Sequence, residues 1–234
     1  MMEHQTGCLI CGEELVYSAQ NHEQSCFYCG QKFDVNVKCV QGHYVCDQCH
    51  AMSANELIEQ TCQETQLTDP LNLAVALMKH PNVKMHGPEH HFLVPVVLLT
   101  AFYNQQRQPE MKAEKLRLAR ERAQVVKGGF CGYWGSCGAG IGTGIFMSLV
   151  TGATPVSRQE WRVSNLLTAA SLCCIAEHGG PRCCKRNTFL AIITAVEFLK
   201  QELEIELKMR PDIECEFSHL NRECLQRACP FYRS

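Results

Sequence analysis

The chain has 234 residues, 46% of them hydrophobic and 20% charged, with a formal net charge of -2. That is enough for one substantial core plus a small accessory module. It gives no global attraction for polyanions, so neither nucleic acid nor an anionic membrane is the expected partner. Seventeen cysteines follow an N-terminus, MMEHQTGCLI, that lacks the apolar core of a secretory signal. Thiolate ligands are therefore expected rather than disulfides, in a soluble, cytoplasmic protein. The longest apolar stretches, 92–103 and 138–153, fall short of the roughly 18–20 residues that a membrane helix needs.

Cys8, Cys11, Cys26, Cys29, Cys39, His43, Cys46 and Cys49 stand in the first fifth of the chain, mostly as C-x-x-C pairs. This density of soft ligands points to two zinc ions. CLICG at 8–12 and CFYCG at 26–30 have the form of zinc knuckles, where the glycine after the second cysteine lets backbone amides turn toward the sulfurs. The run from Cys39 to His50, C-x3-H-x2-C-x2-C-H, resembles the central part of RING-type and treble-clef fingers, which implies interleaved sites. Spacing leaves the pairing open. One scheme joins Cys8, Cys11, Cys46 and Cys49 and leaves Cys26, Cys29, Cys39 and His43; a sequential scheme joins the first four cysteines. His50 is a reserve ligand or an outer hydrogen-bond donor. Sites filled by protein ligands have no place for substrate, so a structural module over residues 1–52 is expected, one that depends on metal to fold and shields the rest of the chain or docks a protein partner. A ubiquitin-ligase role is not expected, because the RING continuation with a further cysteine pair is missing.

From Ser53 the pattern becomes helical. Ser53 and Glu56 form a capping box for a helix over 54–66, with Leu57, Ile58 and Cys62 as its apolar stripe. A second helix starts at Asp69-Pro70 and stops at His80-Pro81, with Leu71, Leu73, Ala74, Leu77 and Met78 inward. HFLVPVVLLTAFY, residues 91–103, is apolar on nearly all sides and reads as a buried helix with Pro95 tolerated near its start. The charged stretch 109–127 predicts a solvated outer helix with Met111, Leu116, Leu118 and Ala119 as a narrow inner stripe. Further helices are expected at 138–152, 158–177 and 187–208, followed by a cysteine-bearing tail. Residues 53–234 should thus form an all-α domain.

The chemistry-bearing features of this second domain are a glycine-rich segment, GGFCGYWGSCGAGIGTGIF at 128–146, and SLCCIAEHGGPRCCKRN at 171–187. Together they contain Cys131, Cys137, Cys173, Cys174, Cys183 and Cys184. Bare amides at a helix start near Gly138 and Gly140 favour an anion. His86, His90 and His91 surround Glu89 at another helix start, where an imidazole supplies an acid or base near neutral pH.

In colinear order, GFCGYWGSCGAG, then Cys173-Cys174, then PRCCKRN resembles the catalytic domain, or α chain, of iron–sulfur L-serine dehydratases. Cys183, Arg186 and Asn187 fall on that family's C-x-x-R-N pattern, and HGPEHHFLVPVVLLTAFY is similar to its segment with Pro95 on a shared proline. The resemblance implies an all-helical fold holding a 4Fe–4S cluster by Cys137, one of Cys173 and Cys174, and Cys183 or Cys184, with one iron open to substrate. It also implies that Cys229, late in the tail, occupies the open iron as a substrate mimic; the alternative is that Cys215, Cys224 and Cys229, spaced C-x8-C-x4-C, ligate a second centre. The expected activity is then that of a non-redox lyase: elimination of water or hydrogen sulfide, or sulfur transfer, on a small carboxylate-bearing molecule. Gly138, Gly140, Arg186 and Asn187 would hold the substrate or cluster and His86, Glu89, His90 or His91 would move the proton. The other reading is a zinc-module adaptor or iron–sulfur carrier that catalyses nothing; a homo-oligomer is compatible with both. As a whole the chain looks closer to a group of uncharacterised cysteine-rich proteins defined only as a domain of unknown function, marked by HGPEHH and GxWGxCGAGIGTGIF.

Overall fold

The computed structural model describes residues 8–46, 49 and 53–233. Strands β1 (Leu15–Ser25) and β2 (Lys32–Cys39) form an antiparallel hairpin, paired from Leu15 with Cys39 to Ser25 with Lys32. Between Tyr17 and His22 the register slips, so that residues 18–21 oppose Asn36 alone and the ladder bends. The sequence did not predict these strands, because LVYSAQNHEQS is polar on both faces and nearly all exposed. An isolated two-stranded hairpin is marginal in water. Here a C-x-x-C knuckle precedes β1, a second forms the β1–β2 connection, and β2 ends on Cys39.

Eight helices follow among the described residues: α1 (Ala54–Glu64), α2 (Pro70–Met78), α3 (Glu89–Gln106), α4 (Pro109–Gln124), α5 (Phe130–Tyr133), α6 (Gly138–Thr151), α7 (Gln159–Glu177) and α8 (Cys184–Leu203). The Ser53–Glu56 capping box opens α1, and the Asp69 carboxylate accepts from the amides of Leu71 and Asn72 at the start of α2. Helix α3 is the axis of the domain, in contact with α1, α2, α4, α6 and α8 and buried along most of its length. None of these helices is long and apolar enough to cross a membrane.

The glycine run of α6 explains how that axis is approached. A Cβ at Gly138 would overlap the His91 imidazole, and one at Gly142 would press on Val94 and Pro95, all on α3. Substituents at Gly140 and Gly144 would strike Leu172 and Thr168 on α7. Glycines four apart on one face thus admit α3, and the alternate pair admits α7, so α6 is wedged closely between them.

Helix α4 is the outer helix expected, tied to α1 by an Arg120–Glu59 ion pair, but its inner stripe is Lys112, Leu116, Ala119 and Ala123, while Met111 is exposed. Lys112 is drawn inward because its ammonium donates to the Thr65 carbonyl at 2.9 Å and to Asn104 Oδ1 at 3.0 Å. Helix α8 starts three residues before the expected position and ends at Leu203, where Glu204 takes a left-handed conformation. Beyond it, residues 204–233 carry only two 3-10 turns, Ser218–Leu220 and Gln226–Ala228, and an isolated bridge between Cys215 and Tyr232. Phe217 and Phe231 of this tail close over Phe189 of α8.

Candidate functional site

Two ligand groups form around the hairpin: Cys8, Cys11, Cys39 and His43 in one, and Cys26, Cys29, Cys46 and Cys49 in the other, each with its ligand atoms all within 4.8 Å of one another. The sites are interleaved, but neither of the two pairings drawn from spacing holds. The first knuckle takes its partners from the end of β2 and the turn after it, Cys39 and His43. The second knuckle, lying in the β1–β2 connection, takes Cys46 and Cys49. The hairpin register decides this, by setting Leu15 beside Cys39 and letting the Phe27 amide bond the Tyr44 carbonyl at 2.8 Å. His50 lies outside the described residues.

Within the groups, Cys11 and Cys39 sulfurs are 3.4 Å apart, Cys29 and Cys46 3.9 Å, and His43 Nδ1 lies 3.8 Å from Cys8 Sγ. A tetrahedron with metal–sulfur bonds of ~2.3 Å has edges of about 3.8 Å, so the spacing fits one ion in each. Backbone amides of Ile10, Gln41 and Cys46 donate to Cys8, Cys39 and Cys26 Sγ at 3.3–3.4 Å, the hydrogen bonding that orients metal thiolates. Burial works against ionisation, yet amide and thiol donors hold Cys26 and Cys39 below the ordinary thiol range. Burial, followed by the charge of neighbouring thiols, pushes Cys49 up, and burial raises Cys29 to about 11. Without a cation only part of each group ionises; a bound divalent ion removes that conflict. Buried His80 couples the module to the helices, with Nε2 donating to the Cys49 carbonyl at 3.2 Å and its ring 4.8 Å from Tyr28.

In the helical domain two cavities flank the start of α8. The larger, of about 710 Å3, is an open cleft between the glycine-rich segment 129–137, the end of α7 and the 179–182 turn. Cys131, Cys137, Tyr133, Arg182, Arg186 and Asn187 line it. Asn187 Nδ2 donates to Cys137 Sγ at 3.4 Å, and its Oδ1 accepts from Arg186 Nε at 3.2 Å. Arg186 is only 3% exposed. Its Nη2 donates to the Gly179 and Pro181 carbonyls at 2.7 and 3.3 Å, and its Nη1 has no partner.

The second cavity is small and brings together Cys183, Cys215, Cys224 and Cys229, with Arg186 also in its wall. Cys183 is the N-cap of α8, its sulfur accepting from the Arg186 amide at 3.4 Å. The sequence reading set Cys229 at the open iron or grouped it with Cys215 and Cys224 in a second centre; the structure adds Cys183 to those three. Their spacing, C-x8-C-x4-C, was the available signal.

The remaining candidates separate. Cys173 is exposed, 3.6 Å from Glu177 on its own helix, and Cys174 is half-buried. Cys184 senses both Cys137 and Cys183, with burial raising its thiol to about 11. Gly138 and Gly140 are close-packing positions, not ligand contacts. None of His86, Glu89, His90 and His91 lines either cavity. His90 is 1% exposed and bonded on both nitrogens, to Thr188 Oγ1 at 3.0 Å and the Lys84 carbonyl at 3.1 Å, and burial lowers it to about 3. A histidine so held is a neutral core group and not a proton shuttle, which corrects its catalytic assignment. His91 Nδ1 donates to the Val126 carbonyl at 2.8 Å, and Glu89 accepts from the Lys84 amide at 2.8 Å; both serve to fix the start of α3. His86 Nε2 sits 3.3 Å from Asn221 Oδ1, tying that start to the tail.

No curated protein and no solved structure matches the chain. A family model covers residues 58–232, that is 175 of 234, and leaves out the cysteine-rich module. The chain therefore belongs to DUF5714, a family of unknown function.

Proposed function

We propose that the two N-terminal groups hold structural zinc and that the helical domain is an enzyme acting on a small carboxylate-bearing substrate in the open cleft. Zinc is the choice for the module because its donor sets, three sulfurs with one imidazole nitrogen and four sulfurs, are soft, tetrahedral and closed. The observation that carries the cleft reading is Arg186: a buried guanidinium, fixed through Nε and Nη2, in the wall of a cavity of substrate size. Arg182 adds a second cation, no acidic side chain lines the cleft, and a guanidinium matches a carboxylate in a planar, bidentate way.

Of the cluster ligands implied by the dehydratase resemblance, Cys184 senses Cys137 and Cys183, but the set is not gathered in one cavity. Cys137 and Cys183 line different cavities, and Cys173 faces Glu177. No step is therefore routed through an open iron held by that set. For elimination of water or hydrogen sulfide, the proton acceptors among the lining residues are Cys131, Cys137 and Tyr133. A second reading, an iron–sulfur carrier without catalysis, is favoured by the four-thiol cavity, since ligation by four protein thiols leaves no iron open.

Calorimetric titration with L-serine, L-malate and their uncharged amides tests the cleft reading. The carboxylates should bind and the amides should not, and Arg182→Gln should weaken binding roughly tenfold, equivalent to about 1.4 kcal/mol. Carboxylate binding that is absent, or unchanged in Arg182→Gln, overturns it.

A further inference from the structure

The tail after α8 poses a physical problem. Some thirty residues, 204–233, form almost no regular structure, and stretches of that length in a compact domain need something other than a backbone ladder to order them. The N-terminal module poses the same problem and answers it with metal ligands. The tail repeats the local features of that answer.

Cys215, Cys224 and Cys229 of the tail and Cys183 at the head of α8 line one small cavity. The Cys215 thiol senses the other three, with burial raising it and their charges adding to the effect. Amides of Arg186, Phe217 and Gln226 donate to Cys183, Cys215 and Cys224 Sγ at 3.3–3.4 Å. These match the amide-to-sulfur bonds of the knuckles in length, and those at Cys215 and Cys224 also match in their two-residue offset. The dimension differs, however. The groups whose ligand atoms all lie within 4.8 Å of one another are the two N-terminal ones. The four tail-site thiols form no such group among the described residues, so they stand farther apart than the sulfurs of one tetrahedral ion, about 3.8 Å.

Charge points the same way. Lys185 and Arg186 are consecutive, 1% and 3% exposed; Arg186 lines the cavity, and Lys185 senses the Cys183 and Cys215 thiols. The Lys185 ammonium donates to the Met78 and Val83 carbonyls at 2.8 Å each and lies 4.8 Å from the centre of the Phe217 ring in the cavity wall. Arg186 lines the cleft as well as this cavity. Glu89 already lies in the field of Lys185; beside a polynuclear centre with four thiolates the two buried cations would offset a net negative charge.

We propose that Cys183, Cys215, Cys224 and Cys229 ligate a 4Fe–4S cluster, with Lys185 and Arg186 compensating its charge. Every iron is then capped by protein, so the centre is an electron-transfer or structural cluster and not a Lewis acid. It pins the tail to α8 beside the cleft, and Arg186 stands in the wall of both.

The test is metal and sulfide analysis of the full chain purified without oxygen, together with electron paramagnetic resonance after reduction by dithionite, which adds one electron to the cluster. The expected protein is brown, holds about four irons and four sulfides beside two zincs, and gives a signal of half-integer spin on reduction. Cys224→Ser and Cys229→Ser should lose most of the iron, whereas Cys131→Ser, Cys137→Ser and Cys173→Ser should keep it. Cys224→Asp, which retains an anionic ligand, should keep the iron and shift the resonance, and so separates ligation from misfolding. A colourless protein, a third zinc, a disulfide among these four residues, or iron lost in Cys137→Ser but kept in Cys224→Ser would each overturn the proposal. None of these outcomes bears on carboxylate binding at Arg182.

Discussion

Asn187 Nδ2 donates to Cys137 Sγ at 3.4 Å across fifty positions of sequence. The bond joins the glycine-rich turn before α6 to the first turn of α8, the two walls of the cleft. Because the same amide also accepts from Arg186 Nε, one side chain sets both the thiol and the guanidinium. Asn187→Ala should leave Cys137 without its donor and Arg186 less constrained. Peptide mapping after alkylation should then show Cys137 reacting several-fold faster than in the parent protein, with Cys173 unchanged as an exposed reference. Equal Cys137 rates would mean that the bond does not shield it.

The interleaved ligand groups make a pairing prediction for the proposed zinc sites. Cys8→Ser and Cys39→Ser each remove a ligand from the same site, so the double variant should still retain close to one zinc per chain. Cys8→Ser combined with Cys26→Ser damages both sites and should retain none. Since structural zinc contributes roughly 10–16 kcal/mol of apparent binding energy in finger peptides, far more than this small hairpin can supply by burial, the second double variant should lose protection of residues 8–46 from proteolysis. Zinc counts that follow chain order instead, with Cys8 and Cys26 lost together as one site, would reject the cross-braced assignment.

His90 carries a pH prediction. The Lys84 carbonyl can only accept, so Nε2 bears the proton and Nδ1 accepts from the Thr188 hydroxyl. Burial lowers the folded-state value from 6.5 to about 3, so between those values the unfolded chain binds a proton that the folded chain refuses. Stability is full above about 6.5 and falls as the pH drops toward 3. His90→Gln removes the titrating group, and its denaturation midpoint should change less between pH 7 and pH 5 than that of the parent chain. Equal slopes in urea melts at the two pH values would show that His90 is not held neutral.

The helical domain was largely legible because its periodicities are strong and its caps explicit: Ser53 with Glu56, and Asp69 before Pro70, fix helix starts by local chemistry alone. The metal module was legible in its ligands but not in their pairing, which depends on a hairpin register that a polar, weakly alternating β1 does not announce. In the helical domain, residue type misled where burial decides the role. HGPEHH offers three imidazoles near a helix start, yet His90 spends both nitrogens, and His91 its Nδ1, on hydrogen bonds that fix that start. The four tail-site thiols come from positions up to 46 residues apart, 183 to 229, and only the folding of the tail back over Phe189 joins them. The resemblance to a dehydratase steered attention to Cys137 and the 173–174 doublet, while the folded chain gathers Cys183 with the tail instead.

Gly138 shows close packing where the sequence suggested anion binding. The Gly138 amide begins α6, where a helix dipole can meet an anion, but a Cβ there would run into the His91 ring, which its bond to the Val126 carbonyl holds in place. Gly138→Ala should therefore destabilise the domain by about 1–3 kcal/mol, as overpacking does, a drop of several degrees in melting temperature for a domain of this size. The double variant Gly138→Ala with His91→Ala relieves the overlap and should recover part of that loss, giving a coupling that independent sites lack. Carboxylate affinity at the cleft should be unaffected in both. An alanine variant that melts like the parent but loses ligand binding would instead return Gly138 to the binding site.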